Sequence, residues 1–110
     1  MMRVRSLLCV GAIASLAAYA ASAAVPTTYV VDQSKLQFSI SELRIKKGDT
    51  VKFMNSDRPA HNILVSDGTK VLSSGLQQPG EPFEVPFTRE GTFPVTCGIH
   101  PKMHMTIVVE

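Results

Sequence analysis

The stretch Cys97-Gly98-Ile99-His100-Pro101-Lys102-Met103-His104-Met105 decides the reading of this chain. A thiol, an imidazole and a thioether follow one another at three-residue intervals, at Cys97, His100 and Met103. Upstream, Phe93, Val95 and Cys97 fall on alternate positions, so a strand would place them on one face. Downstream, His104 to Val109 reads as a closing strand. Gly98 ends the first strand and lets the chain turn, Pro101 stiffens the return, and Met103 arrives where the last strand begins. One short loop between two strands can therefore place three donor side chains around one point.

Working outward, the rest of the chain repeats the pattern of short alternating segments separated by turn residues. Tyr29 to Asp32 is a first extended segment. Leu36, Phe38 and Ile40 alternate, and Leu43 and Ile45 alternate on the opposite parity. A strand cannot change parity without a bulge or break, so the chain is expected to pass from one sheet to another near Ser41-Glu42. Lys46-Lys47-Gly48-Asp49 is a turn, after which Val51 and Phe53 resume alternation. Asn55 to Ala60 is a loop broken by Pro59. His61, Ile63 and Val65 share a face of the next strand. Val71 to Gly80 reads as loop because of Gly75 and Pro79-Gly80, with room for one helical turn. Phe83, Val85 and Phe87 alternate, with Pro82 and Pro86 opposite them, which argues for a sheet edge. The pattern predicts an all-β Greek-key sandwich of about seven to eight short strands.

The first residues have a different character. Arg3 and Arg5, the apolar run Leu7 to Ala18, and Ala21-Ser22-Ala23 read as a secretory signal peptide over 1–23, cut after Ala23 or Ala24. The apolar run is too short and Ala-rich for a membrane anchor. The working domain is then 24–110. Without Arg3 and Arg5, the 11 basic residues become 9, against 9 acidic ones. A neutral domain gives no reason to expect a nucleic-acid partner. Of the 2 cysteines, Cys9 goes with the leader. Cys97 is left alone in an exported protein, where it can be a free thiol, a bridge between chains or a ligand.

Taken singly, Cys97 could be a small buried hydrophobe, His100 a loop residue and Met103 core filler. Together, with His61 upstream, they make the ligand set of a blue-copper site: two His, one Cys and a weak axial Met. Zinc favours four strong nitrogen or sulfur ligands, often from paired C-x-x-C knuckles, and there are none here. His104 falls on the opposite strand phase from Met103 and Met105 and is read as a surface residue. Asn62 is placed to tie the His61 strand to the Cys97 loop.

At this point the chain resembles the cupredoxins, the family of plastocyanin and azurin. The resemblance rests on Ile45-Lys46-Lys47-Gly48-Asp49-Thr50-Val51-Lys52-Phe53, on His61-Asn62, and on Gly91-Thr92-Phe93 running to Met103. Its ligand loop has the short C-x-x-H-P-x-M form found in the amicyanin branch. Family members carry valine-like residues four and six places after the axial Met. Counting from Met103 gives Ile107 and Val109, which selects Met103 over Met105. Met105 stands where the family usually has Gly, Ile99 where it often has Pro, and Pro94 inside a strand.

The resemblance implies one copper ion, cycling between Cu(I) and Cu(II), held by His61 Nδ1, Cys97 sulfur, His100 Nδ1 and Met103. It implies a monomeric periplasmic electron carrier, not an enzyme, taking electrons from a redox enzyme and passing them to a cytochrome or oxidase. It also implies that His100 lies at the surface among Ile99, Pro101, Pro59 and Ala60, with Arg58 and Lys102 at the rim. A copper carrier or buffer is the alternative function, since His104 and Met105 add further copper-binding side chains near the loop.

Overall fold

The computed structural model describes residues 25–110, and the expected leader and its cleavage point lie outside them. Nine strands run β1 (Thr28–Ser34), β2 (Gln37–Phe38), β3 (Glu42–Ile45), β4 (Thr50–Asn55), β5 (Ile63–Ser66), β6 (Val71–Ser73), β7 (Phe83–Pro86), β8 (Gly91–Cys97) and β9 (His104–Val109). They form two sheets, in the orders β2-β1-β4-β7 and β3-β9-β8-β5-β6. The all-β sandwich is as the alternation predicts.

Alternation also explains the core. β4 and β9 bury every second residue. Val31, Val51 and Phe53 from one sheet meet Ile63, Val95 and Ile107 from the other. Full burial of each such side chain contributes about 1.5–3 kcal/mol. The parity change at Ser41-Glu42 is a change of sheet: β2 pairs with β1, whereas β3 pairs in parallel with β9. The two prolines of the Phe83 segment sit on or beside β7, the edge of its sheet, where a missing N–H breaks no ladder.

Three local expectations need correction. Val71–Ser73 is a strand, paired antiparallel with β5 as an outer edge, although all three residues are exposed. No buried face marks it in the sequence. His61 lies outside β5, in an isolated bridge with Gln77, although it keeps the buried phase of Ile63 and Val65. Finally, Leu36 and Ile40 do not share a core face with Phe38, being 45% and 41% exposed. Lys35 and Leu36 form a two-residue hairpin turn, with φ of 54° and 57°. Such turns match the twist of the strands but require left-handed backbone at both positions, a cost usually met by Asn or Gly. Here the Asp57 carboxylate accepts both turn N–H groups, from Lys35 at 2.7 Å and Leu36 at 3.0 Å.

Candidate metal centre

The site forms at one end of the sandwich, where β8 stops at Cys97 and the chain loops back into β9. Cys97 is buried because it continues the inward phase of Phe93 and Val95. Gly98 makes the turn possible through close approach: a Cβ there would meet Asn62 Nδ2 at 3.0 Å and Leu64 Cδ1 at 3.3 Å. Two backbone bonds close the loop, Met103 N–H to His100 O at 2.9 Å and Cys97 N–H to Met103 O at 3.3 Å.

His61 Nδ1, His100 Nδ1 and Cys97 Sγ face one another. Their separations are 3.2 Å between the two nitrogens, 3.6 Å from sulfur to His61 and 3.7 Å from sulfur to His100. A triangle with those sides has a circumscribed radius of about 2.0 Å, the length of a metal–imidazole bond and near that of a metal–thiolate bond. The three donors are thus spaced to hold a small transition-metal ion. His61 is fully buried and His100 half-buried, so only one of the two rings reaches the surface.

Met103 is buried at 2% exposure directly after this loop. It stands outside the apolar core cluster, whereas Met105, equally buried, belongs to it and pairs across β8 with Val95. The residue standing at the family's Gly position is therefore core packing. His104 is exposed, as its strand phase predicts, and its Nδ1 donates to Lys102 O at 3.1 Å.

The surroundings of the donors are as specific as the donors. Asn62 does join the His61 segment to the Cys97 loop, but by its main chain. Its N–H donates to Cys97 Sγ at 3.3 Å and its carbonyl accepts from Gly98 N–H at 2.8 Å. The Asn62 side chain instead accepts from Ser73 Oγ at 2.8 Å.

Asp57 was not legible as a site residue. Its Oδ2 accepts from His61 Nε2 at 2.8 Å. A carboxylate only accepts, so the His61 proton sits on Nε2 and the Nδ1 lone pair faces the other donors. Burial works to raise the Asp57 pKa. The bonds from His61, Leu36 and Lys35 outweigh it and hold the carboxyl below its ordinary value. Asp57 lies four residues before His61, on a loop without periodicity, and nothing in the sequence separates it from a solvated loop acid.

A two-sheet sandwich with a buried histidine, a cysteine and a second histidine converging at its loop end defines a blue-copper domain. The chain belongs to the copper-binding proteins of the plastocyanin/azurin family, whose pattern it matches over residues 25–110. These are blue-copper electron carriers. The chain is 31% identical over 95 residues to amicyanin of Paracoccus denitrificans, covering 84% of this chain and 72% of that protein. It is 29% identical over 112 residues to amicyanin-alpha of Methylorubrum extorquens, covering 88% and 94%. Its structure superposes on a reduced Cu(I) form of an amicyanin variant with a TM-score of 0.71 at 31% identity, over 76% of this chain and 82% of that one. It is thus similar to amicyanins, and its cofactor is copper.

Proposed function

We propose that this chain is a periplasmic one-electron shuttle, in which His61, Cys97, His100 and Met103 hold a single copper ion. The observation that carries the reading is the donor triangle, with sides of 3.2, 3.6 and 3.7 Å. Bound there, copper supplies one-electron exchange between two oxidation states. The protein's part is to keep the donors still. His61 is locked by Asp57, the Cys97 sulfur is met by the Asn62 N–H, and the loop is closed by the Met103 backbone bonds. A site that hardly moves between states opposes electron transfer least. Met103 would supply the fourth donor, a thioether, since it is buried directly after the loop yet outside the apolar cluster.

His100 is the exit for electrons. Ile99 and Pro101, its neighbours in sequence, are exposed, as is Pro59 two residues before His61, and Arg58 and Lys102 beside them in sequence are exposed cations. A transient partner with an acidic rim fits this face: a periplasmic redox enzyme as donor, and a cytochrome or oxidase as acceptor. The signal peptide over 1–23 delivers the domain 24–110, which acts as a monomer.

A copper carrier would offer its ligands to a receiving protein. Here His61, Cys97 and Met103 are at 0%, 2% and 2% exposure, which favours retention. Repeated voltammetry in the presence of a Cu(I) chelator tests the difference. The shuttle gives a reversible one-electron wave that persists over many cycles. Loss of the wave to the chelator within a few cycles would establish the carrier instead.

A further inference from the structure

His61 comes from a different part of the fold than the Cys97–Met103 loop, and no strand holds its main chain. Among the described residues, its backbone bonds go to Gln77 alone: His61 N–H to Gln77 O at 3.0 Å, and Gln77 N–H to His61 O at 2.7 Å. Gln77 itself lies in the loop between β6 and β7, where no ladder fixes it. It is nevertheless 2% exposed and held from four directions. Its Nε2 donates to Phe53 O at 3.0 Å and to Glu81 O at 2.7 Å. Its Oε1 accepts from Gln33 Nε2 at 2.7 Å. Its carbonyl also accepts from Asn55 Nδ2 at 3.0 Å.

The two supporting amides are buried as well, Gln33 at 0% and Asn55 at 2%. Asn55 also grips the loop that leads to His61. Its Nδ2 donates to Pro59 O and its Oδ1 accepts from Asp57 N–H. Gln33 Nε2 donates to Met54 O as well as to Gln77, while its Oε1 is buried without a protein partner. An orphaned buried acceptor costs about 1–3 kcal/mol, which an apolar residue of the same shape would avoid. The amide at 33 is thus poorly explained by stability. What it supplies is the bond that orients Gln77.

We propose that Gln77, seated by Gln33 and Asn55, is the positioning residue that fixes His61 against the Cys97–Met103 loop before metal arrives. This rests on the copper reading above, but its first test needs no copper. Amide hydrogen exchange is measured in the metal-free full domain for wild type, Gln77→Met, Gln33→Met and, as a control, Val109→Ala. Val109 pairs with Gly91, at the opposite end of β8 from Cys97, so the control lowers global stability far from the site.

Losing a bond worth about 1.4 kcal/mol opens a site about tenfold, so the His61 amide should exchange about tenfold or more faster in Gln77→Met. Gln33→Met, which takes from Gln77 only the bond to its Oε1 and also removes the bond to Met54 O, should give a smaller acceleration and covers the case in which Gln77→Met does not fold. In the control, the His61 amide should speed up only as much as the core amides of Val95 and Ile107. After Cu(II) loading, both amide variants should show a broadened visible band and slower self-exchange at unchanged copper stoichiometry, and the control should not. A His61 amide that follows global stability in every variant would overturn the proposal. A wild type that gains no visible band with Cu(II) would instead remove the copper reading and leave the exchange result standing.

Discussion

Replacing Asp57 by Asn should weaken copper binding and raise the reduction potential. Asp57 accepts three N–H bonds, from Lys35, Leu36 and His61. Asn has one acceptor oxygen, so one face of the side chain must point an NH2 at a donor. With the oxygen toward His61, a charge-assisted bond becomes a neutral one. With the amide flipped, His61 is driven to carry its proton on Nδ1, the atom that faces the metal position. A hydrogen bond to a charged group is worth about 1.5–3 kcal/mol, and loss of such an outer partner typically costs about 10–100-fold in metal affinity. The charge matters separately. The His61–Asp57 bond is 2.8 Å and an imidazole lies beyond it, so the carboxylate is on the order of 7 Å from the centre of the donor triangle. At an effective dielectric of about 20, a unit charge at that distance contributes about 2.4 kcal/mol, or about 100 mV for one electron. Asp57 is 12% exposed at its side chain, so solvent trims this; a rise of roughly 50–100 mV is expected. The sign follows because a nearby anion favours Cu(II) over Cu(I). Chelator competition and voltammetry on wild type and Asp57→Asn read both effects. The same carboxyl sets an acid limb. Its folded pKa lies below the unfolded one, so its stabilisation is present above about pH 4 and lost as pH falls through the folded value. Asp57→Asn should flatten that limb in the metal-free protein. A potential that falls, or an affinity within about twofold of wild type, would refute the reasoning.

Met103→Leu should raise the potential, because the weak donor that favours Cu(II) is gone, while leaving the melting temperature of the metal-free domain nearly unchanged. Met105→Ala should do the opposite, costing about 2–5 kcal/mol of stability with little change in potential, since Met105 belongs to the core cluster; the reverse pattern would move the axial ligand to Met105. Electron transfer to the physiological partner should slow as salt rises, and charge reversal at both Arg58 and Lys102 should lower the low-salt rate about tenfold. Rates indifferent to salt and to the mutations would place docking elsewhere.

Much of this molecule can be read from its residues, and the part that cannot has a physical reason. The alternation of Val51/Phe53, Phe93/Val95/Cys97 and Met105/Ile107/Val109 records burial directly, because one face of each strand meets the other sheet. The parity break at Ser41-Glu42 marks the change of sheet for the same reason. The turn at Lys35-Leu36 escaped because neither residue is a usual left-handed residue; Asp57, far away in sequence, supports it. β6 escaped because it is an exposed edge without a buried face. The donor spacing from Cys97 to Met103 is local, so sequence holds it. The supports of His61 are not local: Gln33 and Gln77 are 44 positions apart. They act through side-chain amides whose type is common in any loop, and only the fold brings them together.

Copper held by His61, Cys97 and His100 would require a bond from the Cys97 thiolate to the ion. The visible absorption spectrum of the domain loaded with one equivalent of Cu(II), taken beside Cys97→Ser, tests it most directly. An intense thiolate-to-copper band in wild type that is absent from Cys97→Ser is the predicted result. A colourless wild type, with Cys97 still open to alkylation after copper is added, would contradict it.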